Sequence, residues 1–306
     1  MKKQMNYSSF WLDSSIFEDE TTELTSVEKK SNDLMKLMAY KRSIRNFVNI
    51  VTGQNIPVTF DGRGEDSYTD GKEVVISAKL DDKEFDPVVG LALHEGSHIA
   101  LTDFNTLTSL RSGELPTTID IEWLAKRYEC EVDEVYKVIS NNLKSLLNYV
   151  EDRRIDNHIY TTAPGYRGYY ESMYDKYFHA KVIDKGLQSG EKRTEDWESY
   201  MFRIINLTNK NRDLDALKGL REIWNVLDLG NISRLKSSWD AMDVAGQILM
   251  IVEKSLDEAG SGTESSSGDG EGEGSEGGDQ NGNSPMTGDT NNQQSGGGMS
   301  SQGKGE

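Results

Sequence analysis

From Gly260 to Glu306 the chain reads GSGTESSSGDGEGEGSEGGDQNGNSPMTGDTNNQQSGGGMSSQGKGE. It has no aromatic residue and nothing aliphatic beyond Met286 and Met299, and it holds 15 of the chain's 29 glycines. Such a segment cannot bury enough apolar surface to offset the entropy lost on ordering it. Residues 259–306 are therefore expected to be a disordered, acidic, Gly/Ser-rich linker or tail. Whatever folds must be built from the residues before it. The chain stops inside this segment, as expected either of a fragment ahead of a further domain or of a plain tail.

The preceding part reads as an N-terminal arm over residues 1–25 and one α+β domain over residues 26–258, mostly helical with a small edge sheet. Leu34, Leu37, Met38, Ile44, Phe47, Val48 and Val51 fall at helical spacing, and Gly53 is a plausible stop. The period then changes. IPVTF (56–60) and KEVVISA (72–78) read as short strands, joined by DGRGEDSYTDG, which is dense in turn residues. In that loop Asp70 and Gly71 are expected to make a tight turn. FDPVVGLALHEGSHIAL reads as a helix with Asp86 as N-cap and Pro87 at its first position. Residues 118–160 read as one or two further helices, and three more apolar stripes follow before residue 258.

Charge and cysteine content narrow the function classes. A formal net charge of −18 repels nucleic-acid phosphates and anionic membrane surfaces, so neither is expected as a partner. The single cysteine, Cys130, cannot form an internal disulfide, which fits a reducing compartment; it is expected to be a small buried apolar residue. No apolar run approaches the roughly 18 residues of a membrane span, and no apolar segment follows the basic N-terminus. A cytoplasmic protein is expected.

Two of the four histidines stand in HEGSH, as His94 and His98 with Glu95 between them. On a helix, positions i and i+4 share a face, so both imidazoles can reach one tetrahedral ion about 2.0–2.1 Å away. A glutamate beside the first histidine can take a proton from a metal-activated water and pass it to a leaving amine. The motif follows a strand, a loop and a second strand, the order in which a zincin peptidase places an edge strand for its substrate beside the motif helix. A zinc site of this kind needs a third protein ligand and leaves one position for water. The helix NNLKSLLNYVEDRRIDNHIY offers Glu151, which falls among the inward positions, and next Asp152; the bland alternative for either is an ordinary pair with Arg153 or Arg154. Five tyrosines crowd between Tyr166 and Tyr177. Tyr166, Tyr169, His158 and His179 are candidates to line the cleft or hold an oxyanion, against a packing role. Asp103 is expected either to orient a ligand histidine or to cap a helix.

Taken together, TDGKEVVIS, ALHEGSHIALTDF and NYVEDRRIDNHI resemble the gluzincin-like metallopeptidase domain associated with von Willebrand factor A domains in bacterial and bacteriophage proteins. That group includes relatives of the cobalt-chelatase large accessory subunit and of nitric-oxide-reductase activation proteins. The resemblance covers about residues 30–240. It implies a zincin-like fold, zinc held by His94, His98 and either Glu151 or Asp152, and Glu95 as general base in peptide-bond hydrolysis. It also implies partners: a peptide or protein substrate, an A domain, and an AAA-type ATPase. In the alternative function the domain is a non-catalytic regulatory module of such a machine. The chain departs from the group in carrying no D-x-S-x-S motif and no A domain after the acidic segment.

Overall fold

The computed structural model describes residues 26–60, 67–76 and 84–261. The expected arm and nearly all of the expected tail lie outside the described residues, as do residues 77 and 78 of the second expected strand.

Helix α1 (Ser26–Thr52) leads to a three-stranded sheet: β1 (Val58–Phe60), β2 (Tyr68–Thr69) and β3 (Val74–Ile76). β3 is central, parallel to β1 with Val58 beside Val74, and antiparallel to β2 with Thr69 beside Val74. β2 was not anticipated. Its two residues lie inside the turn-rich stretch, too short for an alternating pattern to register. Asp70 does make the expected turn: its Oδ1 accepts from the amides of Lys72 (2.8 Å) and Glu73 (2.9 Å), and Gly71 takes a φ of +86°.

Helix α2 (Phe85–Leu101) carries the motif. It begins two residues earlier than Asp86 as a cap would require: Glu84 is the N-cap and makes no side-chain capping bond, and Asp86 lies in the first turn. The helix is buried along most of its length from Phe85 to Ser97, because the sheet, α1 and α6 (Arg167–Tyr177) all pack on it. Two glycines permit these approaches. A Cβ on Gly90 would lie 2.4 Å from the carbonyl oxygen of Tyr169, and one on Gly96 would lie 2.7 Å from Val48 Cγ1. Gly96 is the first x of H-E-x-x-H, so the crossing of α1 fixes the motif helix at the motif itself.

After the short helices α3 (Phe104–Arg111) and α4 (Ile121–Arg127), the 28-residue α5 (Val135–Thr162) crosses the molecule. The expected helix over 118–160 is thus two, broken near Glu129, whose φ is +51°. Helices α7 (Lys181–Gln188), α8 (Trp197–Ile205), α9 (Leu220–Leu227) and α10 (Ser238–Ser261) complete the described chain. α10 runs through Ser261, past the expected boundary at 258.

The core has two parts. One gathers α1, the sheet, α2 and α6; the other gathers α4, α5, α8, α9 and α10. α5 belongs to both, giving Leu143, Leu146, Leu147 and Val150 to the second and Ile159 to the first. Between those stretches lie Glu151, Asp152, Arg153, Arg154 and Asp156, all buried. Leu34 and Met38, expected on the apolar stripe of α1, are exposed, and from Leu34 onward the first buried side chain is Tyr40. Cys130 is a free cysteine and only half-buried.

Candidate metal centre

Buried charge in mid-helix is costly unless each group is met by a partner, so the partners of residues 151–156 define what this turn of α5 does. Glu151 is taken by Arg154, whose Nε donates to Oε2 (2.7 Å) and whose Nη2 donates to Oε1 (2.6 Å). Ser238 Oγ, from the start of α10, donates to the same Oε1 at 2.7 Å. Burial would raise the Glu151 carboxyl, but the Arg154 bonds and charge hold it below its ordinary value. It is an internal ion pair joining α5 to α10. Arg154 also donates to the Leu101 carbonyl at the end of α2 (2.8 Å), so the pair locks the end of the motif helix as well.

Asp152 turns the other way. Its Oδ1 lies 3.2 Å from His98 Nε2 and 3.7 Å from His94 Nε2. These three residues are the group among the described residues whose ligand atoms all lie within 4.8 Å of one another. Two ligand atoms on one tetrahedral ion with bonds of 2.0–2.1 Å stand about 3.3 Å apart, and the two measured separations bracket that value. Of the two carboxylates proposed from the sequence, the structure brings Asp152, not Glu151, to the histidines.

The outer nitrogens of both rings are fixed by neighbours. His94 Nδ1 lies 2.7 Å from Asp156 Oδ1, and His98 Nδ1 lies 3.0 Å from Thr102 Oγ1. With Nδ1–H donated outward, Nε2 of each ring keeps its lone pair toward Asp152, which is the tautomer a metal ligand needs. Asp156 is itself held, since the Tyr174 hydroxyl donates to its Oδ2 at 2.6 Å. Burial raises the Asp156 carboxyl, while His94, Arg153 and the Tyr174 bond outweigh it and keep the group below its ordinary value.

The pocket in front of these groups is small, about 60 Å³, and Thr69, Glu95, Phe104, Leu107 and Asn148 help to line it. Glu95 is 5 % exposed. Burial pushes its carboxyl up, the histidines pull it back, and the balance is about 7. For His94, burial alone would lower the ring; the charges of Asp156, Asp152 and Glu95 and the Asp156 bond overcome that and raise it to about 9. Three carboxylates facing two imidazoles therefore create a negative potential that draws a cation. In the metal-free protein a proton on His94 serves; a divalent ion would serve better. The donor set of two imidazoles and one carboxylate fits zinc.

The remaining candidates fall elsewhere. Asp103 caps α3, accepting from the Asn105 amide at 2.9 Å, though it also borders the pocket. Tyr166 and Tyr169 pack against Phe47, His158 is exposed, and His179 pairs with Asp175 at 3.2 Å. Tyr174 is the cluster member tied to the site, and neither it nor Asp156 was singled out beforehand. Asp156 lies four residues beyond Asp152, on the same helical face, and a ligand histidine calls for an acceptor on its far nitrogen; those two facts could have found it.

Compared with protein-family models, curated proteins and solved structures, the chain shows no match. Among the described residues no helix is long and apolar enough to cross a membrane.

Proposed function

We propose that this chain is a zinc-dependent metallopeptidase of zincin-like architecture. The observation that carries the reading is the convergence of His94 Nε2, His98 Nε2 and Asp152 Oδ1 at the spacing of one tetrahedral ion, with Glu95 buried in the same small pocket. Three protein ligands leave a fourth position open, as catalytic zinc sites do, whereas structural zinc is closed by four, usually with cysteine. Zinc in this position supplies an acidified water, with a pKa near 7, and polarises a carbonyl.

The chain's own groups do the rest. Asp152 and the histidines hold the ion, and Asp156 and Thr102 fix the rings. Glu95, poised near neutrality, takes a proton from the attacking water and delivers it to the leaving amine. β2 is an edge of the sheet, Thr69 lines the pocket, and Tyr68 is 41 % exposed. An extended substrate can add to this edge by main-chain hydrogen bonds, which would bring it along the pocket that Thr69 and Glu95 both line.

The test combines metal content with cleavage. Elemental mass spectrometry is expected to give one zinc per chain in the wild type and none in His94→Ala. Glu95→Gln is expected to keep its zinc and to lose cleavage of a peptide library that the wild type cuts. A wild type that takes up no zinc, or a Glu95→Gln variant that cleaves as well as the wild type, overturns the reading.

A further inference from the structure

One turn further along α5 a second cavity opens, of about 530 Å³, between α5, α6 and the chain around Thr208, Leu229 and Ile232. Its wall contains Arg153, and this arginine is unlike the others. It is 4 % exposed, yet Nε, Nη1 and Nη2 all lack a hydrogen-bond partner. Three rings surround the guanidinium carbon, with Tyr149 at 5.2 Å, Tyr174 at 4.9 Å and Phe178 at 5.2 Å. They accept its charge as cation–π partners but not its N–H bonds. The nearest carboxylate oxygen, Asp156 Oδ2, is 3.6 Å away and already accepts from Tyr174.

A guanidinium is always charged and offers five donors in a planar fork. Burying all of them without an acceptor is unfavourable. Two other buried polar atoms of the same wall also lack partners, His179 Nε2 and Thr208 Oγ1. Three residues of this wall, from separate segments, thus each carry a buried polar atom without a partner. By contrast, Arg154 and Arg203, also buried, have their nitrogens on a carboxylate or on backbone carbonyls.

We propose that this cavity binds a small monocarboxylate, with Arg153 as its receptor and Thr208 and His179 as secondary contacts. A carboxylate matches the guanidinium fork in two parallel bonds. A polyanion is disfavoured, because Asp156, Glu171 and Asp175 also line the cavity and would repel surplus charge. The volume suits a small organic acid or the last residues of a peptide. The cavity shares Asp156 and Tyr174 with the supports of the metal pocket, but the proposal does not rest on the peptidase reading.

Isothermal titration calorimetry of the full chain tests it with four probes: acetate, acetyl-trialanine, acetyl-trialanine amide and inorganic phosphate. Saturable binding of a free carboxylate is expected, with at least a tenfold loss on amidation and on Arg153→Met. Binding of acetate as well as the peptide marks a small-acid site; binding of the peptide alone marks a C-terminus site. Either supports the proposal. No binding by either carboxylate, equal binding of the amide, or tighter binding of phosphate overturns it. Should Arg153→Met fail to fold, Thr208→Val takes its place, and carboxylate binding weakened less than threefold by that change counts against the site.

Discussion

Adjacent carboxylates on α5 have opposite fates, and exchanging each for its amide separates them. Glu151→Gln removes the charge that meets Arg154. The pair is buried on both sides, with Glu151 3 % and Arg154 8 % exposed, and breaking a buried pair from one side costs roughly 3–5 kcal/mol. Gln keeps an oxygen for Ser238 and for one Arg154 nitrogen, so the lower end, about 3 kcal/mol, is expected. That is a large share of an ordinary domain's stability of about 5–15 kcal/mol, and it should appear as a clear fall in Tm. Zinc stoichiometry should not change, because no Glu151 oxygen belongs to the histidine group. Asp152→Asn should do the converse. It removes the anionic ligand 3.2 Å from His98 Nε2 and relieves carboxylate crowding, so the metal-free fold should hold or gain slightly. Zinc affinity should fall by more than the roughly 10–100-fold that loss of a mere supporting partner costs. Elemental mass spectrometry and thermal unfolding, on both variants with and without chelator, read the two effects separately. A folded Glu151→Gln protein without zinc, or an Asp152→Asn protein that retains a full equivalent, would refute this assignment.

Asp156→Asn should lower zinc affinity by about 10–100-fold, since it weakens the bond that sets the His94 tautomer; a competition titration against a chromophoric chelator measures it, and unchanged affinity would detach Asp156 from the site. Metal-free stability should fall as pH rises from about 5 to 9. His94 and Glu95 hold protons in the fold up to about 9 and 7, above the 6.5 and 4.5 of the open chain, so this stabilisation is present on the acid side and is lost as pH rises through those values. Zinc binds the neutral rings, so the gap in Tm between zinc-loaded and metal-free protein should widen over the same range; a gap that narrows contradicts the site. Gly96→Ala inserts a methyl 2.7 Å from Val48 Cγ1 and should cost about 1–3 kcal/mol by overpacking, with partial recovery in the double variant Gly96→Ala, Val48→Ala; no recovery would place the strain elsewhere.

The legible and illegible parts of this protein divide along physical lines. His94, Glu95 and His98 were readable because a helix makes i and i+4 neighbours without help from the rest of the fold, and the apolar run Phe85–Leu101 is long enough to read as a buried helix. Asp152 over Glu151 was not readable. The helical wheel placed Glu151 inward, and it is inward; what the wheel omits is that α5 is wrapped by different partners on its different faces. α10 brings Ser238 to Glu151, α2 brings the histidines to Asp152, and α6 brings Tyr174 to Asp156. A run such as EDRRID normally covers a solvated face, and its burial follows only once two cores close around α5. The same closure makes the tyrosine cluster mostly packing while recruiting one hydroxyl to the site. Local periodicity therefore delivered the candidate ligands that share one helix, and tertiary closure chose among the groups on the other. The choice has a physical signature: within six residues of α5, one carboxylate is satisfied by arginine and serine, and the one left facing imidazole nitrogens completes a group that could hold a cation.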